Sequence, residues 1–191
     1  MDRIINLYLE KTTVLEHLSG FPEYGNDPCR FFALIGSDTE DPGLNTILRE
    51  ISTEGVRMCG LRTNLSTFIA GRIGTVMPNS TALVGADLAT EILYLGGGLK
   101  NLVRYPASTL QVLGADKAFF KHMRSGTPPP KHGVIFKFPG ISSLPPKRRG
   151  RVSRTLANKL AIAVRADYFG GTVDVESMRD TIKERMMEKR P

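Results

Sequence analysis

Between Lys117 and Ala166 the chain contains no aspartate and no glutamate. The same stretch carries twelve basic residues, Lys117, Lys121, Arg124, Lys131, Lys137, Lys147, Arg148, Arg149, Arg151, Arg154, Lys159 and Arg165. Outside it, 14 basic residues face all 19 acidic ones, so the remainder of the chain is net negative. A surface of one sign suits a polyanion, because neutralising phosphates releases their condensed counterions. Nucleic acid is therefore the first partner class that the missing acids suggest.

Other shortages exclude other classes. Cys29 and Cys59 are the only cysteines, too few for a disulfide framework. With no signal-peptide pattern ahead of them they read as buried thiols of a cytoplasmic protein, in a reducing cytosol. No uninterrupted apolar run reaches the roughly 18 residues that a membrane span needs, so no membrane contact is expected. The sequence has no GxGxxG, no Walker motif, no Ser-His-Asp order and no metal cluster, so neither an enzymatic activity nor a cofactor is expected. His122 and His132 are too few for zinc without cysteines or carboxylates nearby. The triple glycine Gly96 to Gly98 lacks a following GKS or GKT, and reads as a helix end or a close helix approach.

What is present fits a folded, mainly α protein. A length of 191 residues with 41% apolar content suits one domain, or one domain with an appendage. Asp2 to Leu18 has partly helical spacing. Gly20 to Gly43 reads as loop, buried strand over FFALIG, and loop. Leu44 to Met77 is helical in spacing but crossed by Gly55, Gly60, Gly71 and Gly74, which weaken an isolated helix and call for tertiary support. Helical segments follow over Thr81 to Leu95 and Leu99 to Arg104, VIFKF at 134–138 reads as a small extended piece, and Pro145-Pro146 opens a long helix. Asp174 to Arg190, of mixed charge, reads as a solvated, peripheral helix.

Two elements of the block carry the candidate site. At 100° per residue, Val152, Leu156, Leu160, Ala163 and Val164 share one face of the long helix, while Arg151, Arg154, Asn158 and Arg165 fall opposite. A solvated face normally mixes Glu with Lys, and here Glu is missing, so phosphate contact is favoured for some of these arginines. Lys117, Lys121 and Arg124 recur at i, i+4 and i+7 and make one face of another helix cationic. Phe119, Phe120 and Met123 on that helix are free to pack or to meet a base, and aromatics at helical spacing more often enter the core. Lys131 and His132, after three prolines, and Arg148 complete the candidate RNA-binding set.

The run from Pro78 to Phe169, above all PASTLQVLGADKAFF, PPKHGVIF and RGRVSRTLANKLAIAVRADYF, resembles the Nop domain of box C/D ribonucleoprotein scaffolds. The stretch Gly114 to Gly126 aligns with the archaeal pattern GAEKALFRHLRTG without a gap, with Asp116 for Glu, Phe119 for Leu and Lys121 for Arg among its departures. The resemblance implies a helical module that recognises a kink-turn RNA together with a small ribosomal-protein-like factor already bound to it, and it makes Ala118, Phe119 and Phe120 candidates for contact with that factor. It extends to the scaffolds of ribose 2'-O-methylation and to a spliceosomal Nop-domain factor, and it implies a nuclear or nucleolar location if the source is eukaryotic. It divides the chain into an N-terminal appendage (1–43), a helical connector (44–77), a Nop domain (78–170) and a C-terminal helix (171–191). The scaffolds carry a fibrillarin-binding domain and a long coiled coil upstream, and the short part before Pro78 leaves a fibrillarin-type methyltransferase partner in doubt. The competing reading is a general cationic RNA-binding protein without composite recognition.

Overall fold

The computed structural model describes residues 1–13, 27–35 and 41–188, and these form helices and turns with no strand among them. The chain is mainly α, as expected. It divides into two compact units, Met1–Phe68 and Ile69–Pro191.

In the first unit α1 (Asp2–Thr13) and α2 (Pro28–Leu34) pack with the first part of α3 (Pro42–Val76). The remainder of the helix expected to Leu18, with the loops expected over 20–26 and 36–40, lies outside the described residues. Where a strand was expected over FFALIG, Phe31 to Leu34 lie in α2, with Ile35 closing the helix and the final glycine outside the described residues. A short apolar run does not distinguish the two. The residues before it decide: Pro28 opens the first turn and Asp27 caps it, its carboxylate accepting from Cys29 N at 3.0 Å. Phe31 and Phe32 are wholly buried. Phe32 lies over α3 at Gly55, where a Cβ would sit 2.1 Å from its ring, so glycine there is the condition for the contact. The Ser52 hydroxyl donates to Phe32 O at 2.7 Å beside it. Gly60, Gly71 and Gly74 have no such neighbour within 4 Å, so the tertiary support expected for all four glycines exists at one.

Cys29 and Cys59 are joined in a disulfide that ties α2 to α3, correcting their reading as free thiols. Helix packing brings their Cα atoms to 5.9 Å, within bonding range, which no count of cysteines reveals.

The second unit is built on α9 (Pro146–Phe169), whose buried face contains Val152, Leu156, Leu160, Ala163 and Val164, the five residues expected there. Against it pack α4 (Pro78–Val84), α7 (Ala107–Val112) and α10 (Val175–Met187), with α5 (Ala86–Leu95), α6 (Leu99–Leu102) and a 3-10 turn at Val134–Lys137 filling the core around them. The helix expected over Thr81 to Leu95 is split by Gly85, whose φ of +86° an L side chain avoids. Gly96 ends α5 where a Cβ would meet Leu102 at 2.3 Å, so the triple glycine serves both a helix end and a close approach. VIFKF is a 3-10 turn rather than an extended piece. With no strand among the described residues to pair with it, Phe136 N and Phe138 N bond locally to Gly133 O and Ile135 O at 3.0 Å.

The C-terminal helix α10 is not peripheral. Met178 and Ile182 are buried, one turn apart, and Met186 follows half-buried on the same face. Its charges occupy the other faces and hid that stripe from the sequence reading.

No residue within α4 or just before it caps its start. Asp167, from the last turns of α9, does so instead. Oδ1 accepts from Asn79 N at 2.7 Å and Asn79 Nδ2 at 2.9 Å, and Oδ2 accepts from Ser80 N at 2.9 Å. Asn79 then donates to Gly171 O at 3.0 Å and accepts from Val173 N at 3.1 Å, which fixes the link into α10.

Replacing Asp167 by Ala strands buried donors and should lower unfolding free energy by about 3 kcal/mol, read by chemical denaturation; a loss under about 1 kcal/mol would show the cap to be dispensable. Reducing the disulfide, which closes a loop of 30 residues, should cost the first unit about 3 kcal/mol, visible as a lower melting temperature with dithiothreitol that a Cys29→Ser/Cys59→Ser variant does not show.

Candidate nucleic-acid interface

The element α8 (Asp116–Ser125) buries none of its residues. Lys117, Lys121 and Arg124 form its cationic face and, with Phe120 and Ser125, line a shallow hollow. Phe119, Phe120 and Met123 are 46%, 61% and 69% exposed, so these aromatics are outside the core, against the more common fate assumed for them. Ala118 is exposed as well. The helix closes on Gly126 in the left-handed conformation, and a contact between His122 Nδ1 and Thr127 O ties its end to the proline segment.

That segment returns to the end of α7. Gln111 Nε2 donates to Lys131 O at 2.7 Å, Gly133 N donates to Gln111 O at 2.8 Å, and Val134 N donates to Leu113 O at 2.7 Å. The Lys131 stem lies 3.8 Å from where a Cβ on Gly150 of α9 would stand. His132 stacks on Phe136 with ring centroids 4.4 Å apart, and the Arg149 guanidinium lies 5.6 Å from the centroid of the same ring. The proline loop, the 3-10 turn and the start of α9 therefore meet around Phe136.

The cations of the block fall into two groups. Arg149 donates to Leu144 O and Ser142 O, both at 2.7 Å, and holds the turn before α9. Arg148 donates to Met186 O; Arg165 donates to Ala161 O at 2.9 Å and Tyr105 O at 3.4 Å. Lys137 pairs with Glu91 at 2.7 Å, and Arg151 lies 3.9 Å from the Glu188 carboxylate. Lys117, Lys121, Arg124, Lys131, Lys147, Arg154 and Lys159 make no side-chain hydrogen bond or ion pair among the described residues. Along α9, Arg151, Arg154, Asn158 and Arg165 are all exposed. Lys147 and Lys159 were not singled out from sequence, although both fall in the acid-free block. The structural use of Arg149 had no sequence signal, since its acceptors are backbone carbonyls.

The described residues hold no cluster of His, Cys, Asp and Glu able to bind a metal ion, and none of their helices is long and apolar enough to cross a membrane.

Burial, then Arg149, then Lys131, hold the His132 pKa below its ordinary 6.5. The unfolded chain thus binds the proton more readily, and stability rises with pH through the region below 6.5. The melting temperature should fall as pH drops from about 7.5 to about 5, and His132→Gln should flatten that fall; an unchanged pH profile in the variant would remove His132 as its source.

The comparisons with known proteins agree on one family. The model of the family described as Nop, snoRNA binding domain, fibrillarin, matches residues 33–189, reaching well to the N-terminal side of the Pro78–Phe169 stretch. An uncharacterised NOP5 family protein of Methanocaldococcus jannaschii is 39% identical over 156 residues, covering 82% of this chain and 37% of that protein. Nucleolar protein 56 of Mus musculus is 36% identical over 180 residues, covering 90% of this chain and 31% of that protein. This chain thus spans about a third of the length of these relatives. A chain in the crystal structure of a fibrillarin/Nop5p complex superposes with a TM-score of 0.69 at 31% identity, over 99% of this chain and 63% of that one. With the family model matching most of its length and relatives 36% and 39% identical over 90% and 82% of it, the chain belongs to the Nop family.

Proposed function

We propose that this chain is a non-enzymatic ribonucleoprotein module that binds a kink-turn, box C/D-like RNA together with the small ribosomal-protein-like factor already seated on it, and so acts as an assembly scaffold. The observation that carries the reading is α8, a helix with no buried residue, whose uncommitted Lys117, Lys121 and Arg124 adjoin the exposed Phe119, Phe120 and Met123. Cations alone suit any polyanion. Exposed aromatics beside them require a second, apolar or base-stacking partner, as a composite of RNA and protein offers. On this reading Lys117, Lys121, Arg124, Lys131 and Arg154 contact phosphates directly, with His132, Arg148, Arg151 and Asn158 at the margins. Ala118, Phe119 and Phe120 face the partner protein.

The parts of the chain follow the same proposal: residues 78–170 are the binding domain, 171–191 the C-terminal segment whose α10 packs onto it, 44–77 a connector and 1–43 an appendage. A fibrillarin-type methyltransferase is a further candidate partner, because the structural neighbour comes from a complex with fibrillarin and this chain aligns with it over 99% of its length. We also propose a nucleolar location in a eukaryotic source, supported by relatives named as nucleolar proteins, and a cytoplasmic one in an archaeal source, in line with the archaeal relative.

Mixing the chain with kink-turn RNA, bare or loaded with its partner protein, should give binding at least tenfold tighter to the loaded RNA. Equal affinity for both would leave a general cationic binder. Replacing Lys117, Lys121 and Arg124 together by Ala should abolish binding to the loaded RNA while moving the melting temperature by no more than about 2 °C, since exposed charges contribute little to folding.

A further inference from the structure

The carboxyl end of α10 meets the amino end of the cation stripe on α9. Arg148 donates to Met186 O in the last turn of α10, where helix carbonyls lack partners within the helix. This sets the negative end of the α10 dipole beside the start of α9. Glu188, the residue that closes α10, donates its backbone N–H to Glu184 O at 2.9 Å. Its Oε2 lies 2.7 Å from Arg185 Nη1 and 3.9 Å from Arg151 Nη1. The Glu188 side chain is 25% exposed and that of Arg151 47%, so the carboxylate is seated while the guanidinium stays open to solvent. Glu184, one turn earlier on the same helix, is exposed and pairs with no cation among the described residues.

We infer that Glu188 is a specificity-determining residue of the RNA-binding face, a carboxylate latch that occupies Arg151 until a phosphate held in register displaces it. This rests on the RNA-binding reading proposed above. An exposed pair at this distance is weak and exchanges readily. Loosely held polyanion competes poorly with a tethered carboxylate, because the carboxylate is present at high effective concentration. An RNA anchored through α8 and its partner protein presents its own phosphate at comparable effective concentration, and wins the exchange. The latch thus subtracts one contact from unstructured nucleic acid and none from the anchored RNA.

The test measures binding of a uridine oligonucleotide across salt concentrations, and of kink-turn RNA loaded with its partner protein, for wild type, E188Q and E184Q. Releasing Arg151 adds one phosphate contact, so E188Q should steepen the log-log salt slope for the oligonucleotide by about 0.7 and raise its affinity about threefold. Affinity for the loaded RNA should rise less, so that the ratio between the two narrows. E184Q removes the same charge and should leave the slope unchanged. R151Q should leave the oligonucleotide slope unchanged when Glu188 is present and flatten it in the E188Q background, a coupling that mere net charge does not produce. Equal slopes for E188Q and E184Q, or an R151Q effect independent of Glu188, would overturn the latch. If wild type does not prefer the loaded RNA to the oligonucleotide, the composite-recognition reading fails, while the slope comparison still judges the latch.

Discussion

The second unit depends on the Asp167 carboxylate being turned inward. Asp167 is the first acidic residue after the acid-free block, yet three donors at the start of α4 absorb its charge. This one group closes the amino end of α4, anchors the far end of α9 and, through Asn79, sets the start of the link to α10. A helix start left unfilled at this depth would strand buried N–H groups. The same contact turns the one carboxylate that α9 itself carries away from the exposed face of that helix. Fold stability and surface charge therefore share a single residue.

α9 serves as core and as surface at once. Its apolar residues recur at helical spacing and are buried, and its cations take what remains. That division was legible in the sequence, because a period of 3.6 residues is a direct consequence of helix geometry. The three helices that cover its inner face could not be ordered in the same way. α10 carries Met178, Ile182 and Met186 one turn apart, and its surrounding charges outweighed them in a linear reading.

Other parts of the chain were legible only in part, for reasons that differ from residue to residue. FFALIG was a buried segment from its composition, but Asp27 and Pro28, not the apolar run, select a helix. The disulfide depends on a distance between two helices, and spacing in sequence carries no such distance. Gly55 was read as a weakness of α3 and is the seat of Phe32. Within the candidate site, the cationic face of α8 could be computed from spacing, while the exposure of Phe119 and Phe120 required knowing that no described residue covers them. The loop at Lys131 could be named, but Gln111, which holds its carbonyl, lies twenty residues away and has no charge to draw attention.

The sorting of the cations changes what the block can do. Arg148, Arg149 and Arg165 spend their guanidinium donors on backbone carbonyls, and Arg151 lies beside a carboxylate. A planar fork with five N–H donors bridges two carbonyls in a way that an ammonium does not. Lysine, a strongly hydrated point charge, loses more by being locked and stays in solvent: five of the seven uncommitted cations are lysines. A phosphate contact dominated by lysines supplies affinity with little directional preference, and it weakens steeply with salt. Selectivity then has to come from shape and from apolar contact. The exposed Phe119, Phe120 and Met123 lie on the same helix as three of the uncommitted cations, so the element that supplies charge also supplies the surface able to discriminate.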